Sequence, residues 1–340
     1  MNRLLRYELG AGIGVVVAPD IGKVVIGEVF PPSSSKDMYG VCVDYSGNIY
    51  VSDVGTHVVY EVAEGGRIRV LAGSVGHPGF VNGVSGTAAR FNTPQGVCCD
   101  RSGNIYVADS ANNRLRKIDK DAKVTTICGG FLAPYDCAPG PNGEIYVADT
   151  GHHKVYRIEQ NGRKLLLAGS GVAGNVSGTV GGVKIKGANA QFRSPMGITV
   201  DNTGNVYVCD NGNYQIKKIS QDGWVTLFAG TGVQGNVNGN ALVAKFDNPI
   251  YIKANRTGEL FLIDRTAANG VNRVKRIDAN GVVSTVSYIT GAEALGGGDG
   301  ALGIAVSPAN TLFVVVSAGE YEEESSSSSE TSLSSTGGRI

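Results

Sequence analysis

No run of this sequence reaches the ~18 consecutive apolar residues that a membrane-spanning helix needs. No segment keeps apolar residues at 3, 4 and 7 spacing for a dozen positions, which excludes a helical solenoid. Charge of one sign is not in excess: 30 basic and 30 acidic residues balance to a formal charge of zero, so nothing in the balance points to nucleic acid or anionic lipid. Cys-x-x-Cys is absent, and no Gly-Lys-Ser/Thr follows the glycine-rich strings, so the zinc and phosphate-loop signatures are missing. The amino-terminal MNRLLRYELGAGIGVVVAPD carries two arginines ahead of an apolar stretch, but Glu8 interrupts it, and a signal peptide is not expected.

What the chain has in abundance is glycine, 50 residues of 340, about double the ordinary ~7% and suited to a turn-dense all-β protein. It also repeats itself. GNIYVSDVGTHVVYEV from Gly47 recurs as GNIYVADSANNRLRKI from Gly103, GEIYVADTGHHKVYRI from Gly143, GNVYVCDNGNYQIKKI from Gly204 and GELFLIDRTAANGVNRVKRI from Gly258. The aligned aspartates Asp53, Asp109, Asp149, Asp210 and Asp264 are spaced 56, 40, 61 and 54 residues apart. These spacings bracket the ~40 to 45 residues of a four-stranded propeller blade plus inserted loops. In the second unit, Gly96 to Asp100, Ile105 to Asp109, Asn113 to Ile118 and Val124 to Gly130 read as four short antiparallel strands.

The pattern A-G-x-G, A-x-F-x-x-P-x-G-[IV]-x-V-D, G-N-[IV]-Y-V-x-D and N-[HN]-x-[IL] resembles the NHL repeat over roughly residues 40 to 288. The resemblance implies a six-bladed β-propeller. Blade three departs at Asp136-Cys137-Ala138-Pro139-Gly140, and blade five reads YIKANRTGE; both departures look local. Gly303 to Val316 supply only two strands of a sixth blade, and Gly14 to Val29 match the missing half. The expectation is therefore five whole blades plus one blade split between the N- and C-termini, which buries the edges an open sheet would expose. The predicted organisation is an N-terminal arm (1–12), the propeller (13–318) and an acidic, serine-rich tail (319–340).

Repeated residues read first as structure. Asp44, Asp100 and Asp201 open the first hairpin turn, where a short carboxylate accepts nearby backbone N–H groups. The series Asp53 to Asp264 closes the second strand and is expected to satisfy donors in the turn that follows. Cys209 and Cys128 stand where other blades have alanine, and Cys42 and Cys98 are equivalent to each other, so the six cysteines read as free core residues. Some NHL-like propellers are lyases that hold a metal through several histidines, but His57 and His153 occupy the repeat's own position and His152 adjoins one of them. Only His77 lies outside the register, too few for three protein ligands. No catalytic, metal or cofactor residue is assigned.

Recognition is expected on the insertions that enter blades two, four and five, where Arg90, Lys184, Lys186, Arg193 and Lys245 could read an acidic partner. Phe91, Phe192 and Phe246, each in Ala-x-Phe-x-x-Pro, are expected to pack between blades. A second basic series, including Arg114, Arg116, Lys217, Lys218, Lys275 and Arg276, alternates with apolar residues as on a half-exposed strand. The tail, with eight serines in the eleven residues from Ser325 to Ser335, cannot bury enough apolar surface to offset chain entropy of ~1 to 2 kcal/mol per residue. It would order only in a groove between subunits. The functional expectation is a non-enzymatic structural or interaction module, docked through its two ends into a large assembly such as a phage virion. The alternative is a soluble NHL scaffold for a protein or RNA partner. A metal-dependent lyase or lactone hydrolase is third.

Overall fold

The computed structural model describes residues 13–17, 38–63, 67–178, 182–266, 272–289, 303–308 and 310–317. They form five whole blades and a partial sixth. Blade one runs from Met38–Val43 to Ile68–Gly73, blade two from Pro94–Cys99 to Val124–Gly129 and blade three from Pro134–Pro139 to Lys164–Ala168. Blade four runs from Pro195–Val200 to Trp224–Ala229, and blade five from Pro249–Ala254 to Val282–Ile289. Strands within each blade pair antiparallel in chain order.

Closure follows the split-blade expectation. Gly303–Val306 pairs with Leu312–Ser317, whose other edge takes Ile13–Val17 in the register Gly14↔Val316 and Val17↔Phe313. The fourth strand expected before Val29, and both predicted arms, lie outside the described residues.

The repeat's turn residues explain the local fold. Asp44, Asp100 and Asp201 each accept the backbone N–H groups two and four residues on, while Oδ2 takes the asparagine amide and the tyrosine hydroxyl of G-N-[IV]-Y-V. Where blade three has Gly140 instead, Glu144 accepts the Tyr146 hydroxyl itself. The residue four after each of the first four blade aspartates is left-handed: His57, Asn113, His153 and Tyr214 have φ of 63°, 56°, 57° and 55°. This conformation favours asparagine and histidine among non-glycine residues. Three of these side chains accept an N–H from the next blade, His57 from Thr93, Asn113 from Ala133 and His153 from Ser194.

Between blades the core is continuous. Phe91 packs with Val59 and Leu71 of blade one and Val97 and Val107 of blade two, and Phe192 and Phe246 are equally enclosed at the next insertions. The insertions also fold back along outer edges. Ile185–Lys186 pairs with Trp224–Ala229, Gly239–Asn240 pairs with Val282–Ile289, and Gly83 bridges Val124. Each covers unpaired backbone that would otherwise template association.

Candidate functional site

The six first strands ring the axis, and their close approach dictates glycine at one inward position. A Cβ on Gly197 would lie 2.5 Å from the Ile250 carbonyl oxygen, and one on Gly303 would lie 2.2 Å from that of Tyr39. Glycine holds this register position in blades one, two, four and six, whereas blade three has Asp136 and blade five has Tyr251. These are the two departures read above as local, and the structure corrects that reading: they meet. Lys253, two residues after Tyr251, places Nζ 3.0 Å from Asp136 Oδ2, which also accepts the Ile198 N–H, while Asp136 Oδ1 accepts the Cys137 N–H. Tyr251 lies against Tyr135, with ring centroids 5.2 Å apart.

Burial raises the Asp136 carboxyl, opposed first by the charge of Lys253. Burial by itself would discharge Lys253, but the Asp136 carboxylate overrides it and lifts the ammonium above its ordinary range. The ring axis is thus filled by an ion pair and aromatic rings. Of the thiols, Cys42, Cys98, Cys137 and Cys209 are buried, Cys99 and Cys128 are half-buried, and all six are free. Burial pushes Cys42, Cys98 and Cys209 up.

The blade aspartates do more than cap the following turn. Asp53 does so, accepting from Gly55 and Thr56. In the other blades Oδ1 reaches the segment before the first strand, accepting from Asn92, Leu132, Arg193, and Asp247 with Asn248. Their Oδ2 atoms meet unlike partners. Asp109 takes Arg116 at 2.7 Å and Asp210 takes Lys217 at 2.6 Å, while Asp149 takes His152 at 2.8 Å.

The expectation of half-exposed cations on the third strands therefore fails at its middle position. Arg116, Lys217 and Lys275 are fully buried. Each faces the enclosed phenylalanine of its insertion, with Arg116 5.2 Å from Phe91, Lys217 5.0 Å from Phe192 and Lys275 5.8 Å from Phe246. Each also donates into the insertion: Arg116 to the Val81 carbonyl and Asn82, Lys217 to the Gln191 carbonyl, and Lys275 to Asn236 and Asn238. Blades one and three, which lack long insertions, carry Tyr60 and Tyr156 at this position. A buried cation on the third strand is thus the pin of an insertion.

The five basic residues expected to bind a partner are distributed along those insertions. Arg90 is exposed, and its own carbonyl accepts Arg116. Lys184 and Lys186 converge on Trp224, at 5.7 and 4.1 Å, and Lys186 also donates to the Asp222 carbonyl. Arg193 is exposed and Lys245 half-buried. Only Lys184 and Lys186 are brought together. Most of the exposed large apolar residues lie on the same insertions, among them Phe80, Val84, Val172, Val183, Val237 and Val243, with Val84 87% and Val183 66% exposed. A cavity of about 560 Å³ opens at the first hairpins of blades one to four, lined by Tyr45, Cys99, Asp100, Lys117 and Asp201 among others. Among the described residues no three histidine, cysteine, aspartate or glutamate side chains converge as a metal-ligand set, and no helix is long and apolar enough to cross a membrane.

The Asp136 to Lys253 pair was missed by sequence reasoning, although its signal was present. Both departures from the repeat fall at inward positions of a first strand and bring opposite charges.

The NHL repeat family matches residues 91–118 and 192–219. NHL repeat-containing protein 2 of Bos taurus is 34% identical over 118 residues, which is 34% of this chain and 16% of that protein. Among solved structures, a catalytically inactive virginiamycin B lyase from Staphylococcus aureus with quinupristin superposes with a TM-score of 0.54 at 14% identity, covering 90% of this chain and 88% of the lyase. A gluconolactonase from Xanthomonas campestris gives 0.54 at 15%, covering 84% and 87%. Likeness at such identity carries the ring of blades and not its chemistry. With the same turn, aspartate and phenylalanine recurring from blade to blade around the ring, the chain carries NHL repeats folded as a β-propeller.

Proposed function

We propose that this propeller is a non-enzymatic recognition module, which binds a protein partner through the insertions of blades two, four and five. The observation that carries the reading is the contrast within those insertions. Their bases are fixed by buried cations, while valines and a phenylalanine stand exposed at their outer turns beside Arg90, Lys184, Lys186, Arg193 and Lys245. Exposed apolar groups on rigidly anchored loops supply contact area with little ordering cost, and the interspersed cations favour a partner surface that is apolar at its centre and acidic at its edge. The ring axis favours the same reading, because Asp136 and Lys253 satisfy each other there.

Attachment through the two arms concerns residues outside the described set, and no observation supports a virion role. The insertions therefore carry the proposal by themselves. Its test compares the chain with a Val84→Ser, Val183→Ser, Val243→Ser variant, first checked for an unchanged Tm. A protein cross-linked to the insertions of the original chain should be lost from the variant. Retention of that protein, or a salt-dependent RNA shift in place of protein binding, overturns the reading.

A further inference from the structure

Cys98 and Cys137 lie on the first strands of adjacent blades, and their Sγ atoms are 3.1 Å apart, closer than ordinary contact between two sulfurs. Both are enclosed, at 3% and 0% exposure, among Tyr106, Ile145 and Val147. The backbones approach closely at this junction, since a Cβ on Gly96 would sit 2.6 Å from the Asp136 Cα. Close backbone approach is what a disulfide requires. The register makes the junction singular: at the Cys137 position the other blades carry Val41, Val97, Ile198, Ile252 and Ile304.

We propose that Cys98 and Cys137 are an oxidisable pair whose disulfide staples blade two to blade three. The oxidant is a small neutral hydroperoxide, which can reach buried sulfur where a charged or bulky disulfide cannot. The Cys98 sulfur attacks one peroxide oxygen, the O–O bond breaks, and the thiol's proton passes to the departing oxygen, so that a sulfenic acid forms while an alcohol or water leaves. The Cys137 sulfur then attacks the Cys98 sulfur, the S–O bond breaks, and the Cys137 thiol proton joins the departing hydroxide as water. Two thiols lose two electrons, and the hydroperoxide is reduced by two. Cys99, next on the same strand, lines the cavity at the first hairpins. The cross-link ties inner strands 39 residues apart and restricts the unfolded chain accordingly.

This inference is independent of the proposed recognition rim, and its test reads chemistry and stability alone. The full chain, reduced and then exposed to hydrogen peroxide, is denatured, alkylated and peptide-mapped. The thiol count should drop by two from the six free cysteines, with a peptide joining Cys98 to Cys137. Tm should rise by roughly 5 °C, reversibly with dithiothreitol. Cys137→Val and Cys98→Ala install residues the repeat already uses at those positions, and neither variant should lose that pair of thiols or gain Tm. A bridge between Cys42 and Cys99 instead, equal thiol loss in Cys137→Val, or no loss under peroxide that oxidises a free thiol overturns the proposal. A Cys98 to Cys137 bridge that leaves Tm unchanged overturns the staple.

Discussion

Asp264 shows how one missing partner changes a repeated residue. Its equivalents Asp109 and Asp210 have an asparagine amide and a cation on Oδ2, whereas among the described residues Asp264 Oδ2 has no hydrogen-bond partner and Arg273 stands 3.9 Å away. Burial pushes its carboxyl up to about 6, opposed by the N–H groups of Asn248 and Asp247 and by Lys275. A folded-state value above the unfolded one means that the folded protein holds an extra proton between about pH 4 and pH 6. The associated stability is full below about pH 4 and is lost as pH rises through 6, by about 3 kcal/mol. Asp264→Asn keeps the accepting oxygen and should flatten this part of the profile, measured as the difference in urea unfolding free energy between variant and original chain from pH 4 to 7. An unchanged slope would mean that the carboxyl is not buried as described. Arg116 offers the complementary case. Arg116→Ala strands the buried Asp109 carboxylate and unpins the Val81 to Asn82 turn, so a loss of about 3 to 5 kcal/mol is expected in the same assay.

Among elements, neighbouring first strands approach one another closely. Gly197→Ala puts a methyl 2.5 Å from the Ile250 carbonyl oxygen and 2.7 Å from the Tyr251 Cα, both backbone atoms that cannot turn aside. The two blades must separate, and a loss of about 1 to 3 kcal/mol is expected by chemical denaturation. Gly258→Ala, with open space at its Cβ but φ of +84°, isolates the separate cost of left-handed backbone, about 1 kcal/mol. The closing sheet makes a further prediction. Deleting residues 1 to 17 removes Ile13–Val17 and bares the edge of Leu312–Ser317. Aggregation, or loss of a single cooperative unfolding transition, should follow, and a truncated chain that melts like the full one would argue against closure through this strand.

At the scale of the whole ring, the pair of Asp136 and Lys253 joins residues 117 apart across the axis. Lys253→Ala leaves a buried carboxylate and should cost about 3 kcal/mol or more. The double variant Asp136→Gly, Lys253→Ala replaces the aspartate with the residue four other blades use, and part of that loss should return. A double variant no more stable than the single one would mean that the pair is not the unit of stability.

The repeat was legible because each of its residues answers to neighbours within the same hairpin. Asp100, Asn104 and Tyr106 close one Asx turn within seven residues, and spacing alone identifies such a turn. The split blade was legible for the same reason, as half a repeat at each end of the chain. Burial of Arg116, Lys217 and Lys275 was not. Period-two alternation signals exposure only when one face of a sheet meets water, and stacked blades cover both faces. The centre was hidden more deeply, because Cys98 meets Cys137 only once adjacent blades pack, and Lys253 meets Asp136 only once the blades have closed into a ring. Local hydrogen bonds therefore let the sequence determine the blade and its copies, whereas the contacts of the buried charges and thiols were decided by blade packing and ring closure, which bring distant strands within contact.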